Sequence, residues 1–232
     1  MTRSASKAYG LVIFDCDGVL VDSEPIANRL FAEMLCAEGL ILTTSETMRR
    51  YMGRSLTSCR ALIETELGRP LPPGFFVELR ERTLHAFRHE LRRVEGVGEV
   101  LDQISTPVCV ASSSAHERLR LSLEVTDLLS RFEGRIFSAY DVPRGKPAPD
   151  LFLHAAHRMG AAPERCAVIE DSAPGVEAGV SAGMSVYGYA WHGDARALRA
   201  AGARVFHRMS ELPRLLVPQL ARPVEGGEEG SS

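Results

Sequence analysis

Two carboxylates stand two residues apart in Phe14-Asp15-Cys16-Asp17-Gly18-Val19-Leu20-Val21-Asp22-Ser23, directly after the apolar run Leu11 to Phe14. A strand ending there brings Asp15 and Asp17 into one small volume, where two anions repel unless a cation or a reaction offsets the cost. Magnesium suits such a place, because it is a hard cation that takes one or two carboxylates, waters and phosphate oxygens. Alone, Asp-x-Asp-Gly reads equally well as a solvated acidic turn. Three further segments change that balance. Val110-Ala111-Ser112-Ser113-Ser114 puts hydroxyls and amide N–H groups where a helix opens, an arrangement that receives anions and also caps helices. Gly145-Lys146-Pro147-Ala148-Pro149-Asp150 holds one of two lysines among 27 basic residues. A chain that otherwise uses arginine keeps a compact ammonium at this proline-fixed turn. Val168-Ile169-Glu170-Asp171-Ser172-Ala173-Pro174-Gly175 adds two acids after an apolar run, to complete a metal shell, to cap a helix, or both. Acids, hydroxyls and an ammonium brought together are complementary to a phosphate monoester bound beside a divalent metal.

What must position them is legible in the spacing. Short apolar runs recur at Leu11 to Phe14, Val108 to Ala111, Arg135 to Ser138, Ala167 to Ile169, Ser185 to Tyr189 and Arg204 to Phe206. Helical patterns over Ala115 to Leu129, Pro149 to Met159 and Pro174 to Ala182 lie between them. Alternating strands and helices predict an α/β fold with a Rossmann-like parallel sheet, its strands' C-terminal ends on one ligand-binding edge. From Ile26 to Arg93 the periodicity is helical instead, with Ile26 to Glu38, Ser45 to Met52, Leu56 to Leu67 and Phe75 to Leu91 as four helices. That block predicts an inserted helical-bundle cap over 24–93. The α/β core then takes 1–23 and 94–221, and the Gly/Glu/Ser-rich 222–232 is expected to be a disordered tail.

Composition narrows the function. A net charge of −3 speaks against a nucleic-acid binder. No apolar run approaches the roughly 20 residues that cross a bilayer. Met1 to Tyr9 has no apolar stretch of the kind a secretory signal needs. Five cysteines without a Cys-x-x-Cys pair predict reduced thiols, Cys109 and Cys166 among them buried, and a cytoplasmic protein. The seven histidines show no metal spacing; His85 and His89 lack the glutamate of a His-Glu-x-x-His site. Nothing fixes an oligomeric state, and a monomer is the working expectation.

The four segments, in this order, resemble the haloacid dehalogenase-like hydrolase superfamily, over nearly the whole chain apart from its tails. Within it the chain looks like the helical-cap branch that holds phosphoglycolate phosphatases, sugar-phosphate phosphatases and β-phosphoglucomutases. The resemblance implies a phosphatase for a small phosphorylated sugar or sugar acid, with Asp15 as nucleophile forming an aspartyl-phosphate. It implies that Asp17 is the general acid and then base, its backbone carbonyl on Mg2+, and that Ser112 bonds the phosphoryl oxygens with Ser113 and Ser114 nearby. Lys146 would neutralise the nucleophile, Asp171 would bind Mg2+ with Glu170 as a further ligand or behind it, and Asp22 and Ser23 would lie in the hinge. A second aspartate such as Asp17 fits an oxygen leaving group better than a halide. The run Asp22 to Asn28 lacks the histidine typical of the mutases, which favours hydrolysis over transfer. A phosphosugar mutase and an inactive phosphate-binding protein on the same fold remain the alternatives. Gly53 and Arg54 fall between two cap helices, where Arg54 is a candidate reader of a carboxylate or second phosphate.

Overall fold

Six strands form one parallel sheet: β1 (Leu11–Phe14), β2 (Val108–Ser112), β3 (Ile136–Ser138), β4 (Cys166–Glu170), β5 (Ser185–Tyr189) and β6 (Arg204–Phe206). Their order is β3-β2-β1-β4-β5-β6. The computed structural model describes residues 9–51 and 56–217. β1 lies in the middle and is buried along its length, which is why it reads as an unbroken apolar run rather than an alternation. Val12 and Phe14 pack on one face with Leu119 and Phe132, and Leu11 and Ile13 on the other with Leu151, Phe152 and Val176. Each such buried side chain contributes about 1.5–3 kcal/mol relative to leaving it exposed. The chain steps outward from β1 to β2 to β3, then crosses to the far side of β1 for β4. Parallel sheets bind ligands outside the strand ends at such a reversal.

Between β1 and β2 the chain makes four helices: α1 (Glu24–Ala37), α2 (Thr44–Tyr51), α3 (Leu56–Leu67) and α4 (Phe75–Glu90). They surround a core of their own that includes Phe31, Leu35, Tyr51, Cys59, Ile63, Leu71 and Phe75. α1 begins two residues before the apolar pattern does, because Pro25 is well suited to a first turn. The chain leaves and re-enters the sheet side by side. Asp22 N–H donates to Arg92 O and Val94 N–H to Leu20 O, each at 2.9 Å.

The remaining helices are α5 (Val97–Gln103), α6 (His116–Val125), α7 (Leu129–Phe132), α8 (Asp150–Arg158), α9 (Ala173–Ser181), α10 (Ala195–Ala200) and α11 (Leu212–Leu216). The helix expected over Ala115 to Leu129 ends early, as α6 at Val125, and α7 begins only at Leu129. Thr126 turns its hydroxyl back to Ser122 O at 2.6 Å, and Asp127 adopts a left-handed φ of 58°, which ends α6. α5, α10 and α11 escape the sequence pattern because they are too short to show a helical period. No helix of the described residues is long and apolar enough to cross a membrane. The tail expected at 222–232 lies outside the described residues.

Candidate active site

Strand register builds the site. Phe14 pairs with Val110 of β2 and with Ile169 of β4, so Asp15, Ala111 and Glu170 come next, side by side at the sheet edge. Asp15 N–H donates to Ile169 O at 2.9 Å and ties that step to β4. Lys146 reaches in from the loop before α8. Its Nζ donates to Asp15 Oδ1 at 2.8 Å, to Glu170 Oε1 at 2.6 Å and to Ala111 O at 3.3 Å. The Lys146 side chain is only 5% exposed, so these bonds replace its water. Arg144 braces the loop through two bonds to Asp150, at 3.0 and 2.9 Å.

Glu170 spends its other oxygen, Oε2, on Asp171 N–H, Ser172 N–H and the Ser172 hydroxyl, at 2.9, 2.8 and 2.9 Å. Ser172 in turn accepts from Gly175 N–H and caps α9. Helix capping and the gathering of acids therefore coexist in this segment. Two glycines make room for it. A Cβ at Gly175 would overlap the Glu170 carboxylate, and one at Gly18, whose φ is +75°, would overlap that of Asp171.

Asp15, Glu170 and Asp171 each present an oxygen within 4.8 Å of the others. Burial pushes the Asp15 carboxyl up to about 7; Lys146 opposes the rise and Glu170 adds to it. Asp171 is driven well above the ordinary range by burial, then by Glu170 and Asp15. Burial also works against a charged Lys146, yet Asp15 and Glu170 outweigh it and raise its pKa. Three desolvated carboxylates around one ammonium lack positive charge, and their all-oxygen donor set fits a hard divalent cation.

The Asp17 carboxylate is held apart from this group. Oδ1 accepts from the Ser23 hydroxyl at 2.6 Å and from Arg118 Nη2 at 2.7 Å, and Oδ2 accepts from the Ser114 hydroxyl at 2.7 Å. Burial raises its pKa, but Arg118 and these three bonds prevail and hold it below the ordinary carboxylate value. Ser114 is thus committed to Asp17, and the residue at the cap position of α6 is Ala115, without a side-chain bond. Ser112, the last residue of β2, is buried, and its hydroxyl accepts from Ser114 N–H at 3.3 Å.

A cavity of about 440 Å³ is lined by Asp15, Asp17, Ser112, Ser113, Lys146, Glu170 and Asp171. Ser113 also borders a second cavity of about 480 Å³ beneath the inserted helices, which Ser114 lines. Gly53 and Arg54 fall outside the described residues. Two residues at the site were not anticipated. Glu24, the first residue of α1, lines the first cavity with Oε2 unpartnered, its pKa raised by burial and then by Asp17. An acid in the first turn of a helix is so ordinary that its type gave no signal. Arg118, one of many arginines, follows Ser114 by four residues. Its place in the first turn after a strand end was the available clue.

The profile of the haloacid dehalogenase-like hydrolases matches residues 9–183. The chain belongs to the haloacid dehalogenase-like hydrolase family. It is 33% identical to the 6-phosphogluconate phosphatase of Escherichia coli over 205 residues, covering 88% of this chain and 93% of that protein. It is 30% identical to a phosphorylated carbohydrates phosphatase of Thermotoga maritima over 211 residues, covering 88% and 97%. Among solved structures, a family hydrolase from Deinococcus radiodurans with bound phosphate and sodium superposes with a TM-score of 0.79 at 34% identity. That likeness spans 93% of this chain and 100% of that one. This haloacid dehalogenase-like hydrolase thus has phosphatases among its relatives, in agreement with the chemistry expected from its four segments.

Proposed function

We propose that this enzyme hydrolyses the phosphate monoester of a small phosphorylated sugar or sugar acid in the cytoplasm, with residues 24–93 acting as a cap over the core. The observation that carries this reading is the Lys146 bridge, which holds Asp15 and Glu170 together at the central strand's end while Asp17 waits on separate donors. The names of the two phosphatase relatives support the substrate class. Mg2+ would be held by Asp15, Asp171 and the Asp17 carbonyl, with Glu170 anchored behind them by Lys146. When bound, the ion would supply positive charge to the phosphoryl oxygens.

In the proposed reaction, Lys146 holds Oδ1 of Asp15 and leaves the other oxygen to attack phosphorus. The bond from phosphorus to the leaving oxygen breaks as Asp17, which must enter this step protonated against the pull of Arg118, gives that oxygen its proton, and Asp15 becomes an aspartyl-phosphate. Asp17 then takes a proton from a water that attacks the same phosphorus, the bond to Asp15 breaks, and inorganic phosphate departs. Ser112 and Ser113, which line the same cavity, would donate to the phosphoryl oxygens. The rest of the substrate would extend past Ser113 into the second cavity, where Arg80 would offer a cation to an acid. Arg54 is a further candidate for that task.

A screen of phosphorylated metabolites with Mg2+ tests the reading. We expect phosphate release from sugar phosphates and their acids, and none in chelator; full activity in chelator would remove the metal from the mechanism. Asp17→Asn is expected to slow the first displacement from an alkyl phosphate by about 10²–10⁴-fold. The same step from p-nitrophenyl phosphate, whose leaving group needs little proton assistance, should suffer far less. Equal losses in single-turnover measurements would rule out Asp17 as the leaving-group acid.

A further inference from the structure

We propose that Arg118 is the positioning residue for Asp17, fixing its carboxylate for proton abstraction from the water that breaks the aspartyl-phosphate. The inference rests on the function proposed above and deepens it. Three donors converge on Asp17, and they are not equivalent. The hydroxyls of Ser23 and Ser114 rotate about single bonds and can accept as readily as donate. The guanidinium only donates, and it does so in a rigid plane, from Nη2 to Oδ1 at 2.7 Å. That plane is itself held, because Arg118 lies 4.9 Å from the centre of the Phe87 ring. Phe87 is fully buried in α4, at the root of the inserted helices, and belongs to the same apolar cluster as Phe14, Leu20 and Val21, neighbours in sequence of Asp15 and Asp17. Arg118 therefore spans from the returning cap helix to the second aspartate.

A second observation separates this arginine from an ordinary structural one. Its Nε is enclosed and has no hydrogen-bond partner. Leaving a buried donor unmade is a cost, and here it accompanies the placement of Nη2 on Asp17. Two donors occupy Oδ1 and one occupies Oδ2, which fixes the plane of the carboxylate and leaves Oδ2 a lone pair to receive a proton. In the step concerned, the water oxygen forms a bond to phosphorus, its proton passes to Asp17, and the electrons of the phosphorus–Asp15 bond return to Asp15.

The test is a pre-steady-state burst with p-nitrophenyl phosphate, on the full chain with Mg2+. Formation of the aspartyl-phosphate from this substrate needs little acid assistance, so Arg118→Met should leave that step near the wild-type rate. Its breakdown should slow, lowering steady-state turnover by about 10- to 100-fold. The result expected is a burst approaching one p-nitrophenolate per active site, followed by slow release. Arg118→Lys, which restores one charged donor, should recover part of the steady-state rate. A fall in turnover without a burst would make Arg118 merely structural, and wild-type turnover would remove it altogether; either overturns the proposal. Should Arg118→Met fail to fold, Arg118→Leu, which likewise keeps an apolar stem and removes every donor, is read in the same way. The wild type and Asp17→Asn are the controls. If the wild type forms no aspartyl-phosphate, the proposed function fails; if it does, and Asp17→Asn gives a burst while the Arg118 variants do not, only this inference fails.

Discussion

Asp15→Asn is expected to abolish phosphate release, by roughly 10⁴–10⁶-fold in kcat, the order of loss found when a member of a nucleophilic triad is removed, while the protein stays folded. Asparagine has the shape of aspartate but no anionic oxygen to attack phosphorus. The fold should tolerate it because two effects on stability oppose each other. The variant loses the 2.8 Å ion pair with Lys146, a buried contact whose rupture is costly when a charge is stranded. Lys146 is not stranded, since its 2.6 Å bond to Glu170 remains. The variant also escapes the burial that pushes the Asp15 carboxyl up to about 7. Thermal melting by circular dichroism should therefore shift by only a few degrees, while p-nitrophenolate release falls to background. Turnover within tenfold of wild type would mean that another group attacks phosphorus.

Three strands of the sheet, β1, β2 and β4, were legible because they end on chemistry. A fully buried parallel strand must be apolar, so the first polar residue after each run marks the edge where ligands bind. Asp15, Ser112 and Glu170 were located in this way, and register did the rest. Lys146 was legible by contrast, as a rare lysine in an arginine-rich chain. The partners of Asp17 were not, and the reason is rotational. Ser23 and Ser114 stand in the quoted motifs, but which acid a hydroxyl serves depends on a side-chain torsion that spacing does not encode. Ser114 looked equally suited to capping α6, and the structure gives its hydroxyl to Asp17 instead. Arg118 required knowing that α6 packs against α4, a contact between segments thirty residues apart in the chain. The division of α6 from α7 at Asp127 was hidden because no glycine or proline marks it.

Lys146→Met carries the other large effect, and its sign with pH is the informative part. Methionine keeps an unbranched stem beside the Phe152 ring, over which Nζ now sits at 5.0 Å, so packing is largely preserved and the charge is what is lost. Asp15 and Glu170 then stand together without their ammonium, and breaking a buried pair in this way costs about 3–5 kcal/mol. Activity with Mg2+ should fall by about 10²–10³-fold, as when a preorganised charge beside the reacting group is removed. The pH dependence follows from linkage. A carboxyl whose folded pKa lies above its unfolded value favours the folded state at low pH, and loses that contribution as pH rises through the interval between the two. For Asp15 the interval already runs from 3.8 to about 7, with Lys146 opposing the rise. Without Lys146 the folded pKa climbs further and the penalty deepens toward alkaline pH. Lysine's own raised pKa lies far above this range, so it adds no slope. Denaturant melts in chelator should therefore show a larger gap between wild type and Lys146→Met at pH 8 than at pH 5. A gap independent of pH would mean that Lys146 acts there as a packed stem, and the charge balance drawn at the end of β1 would be wrong.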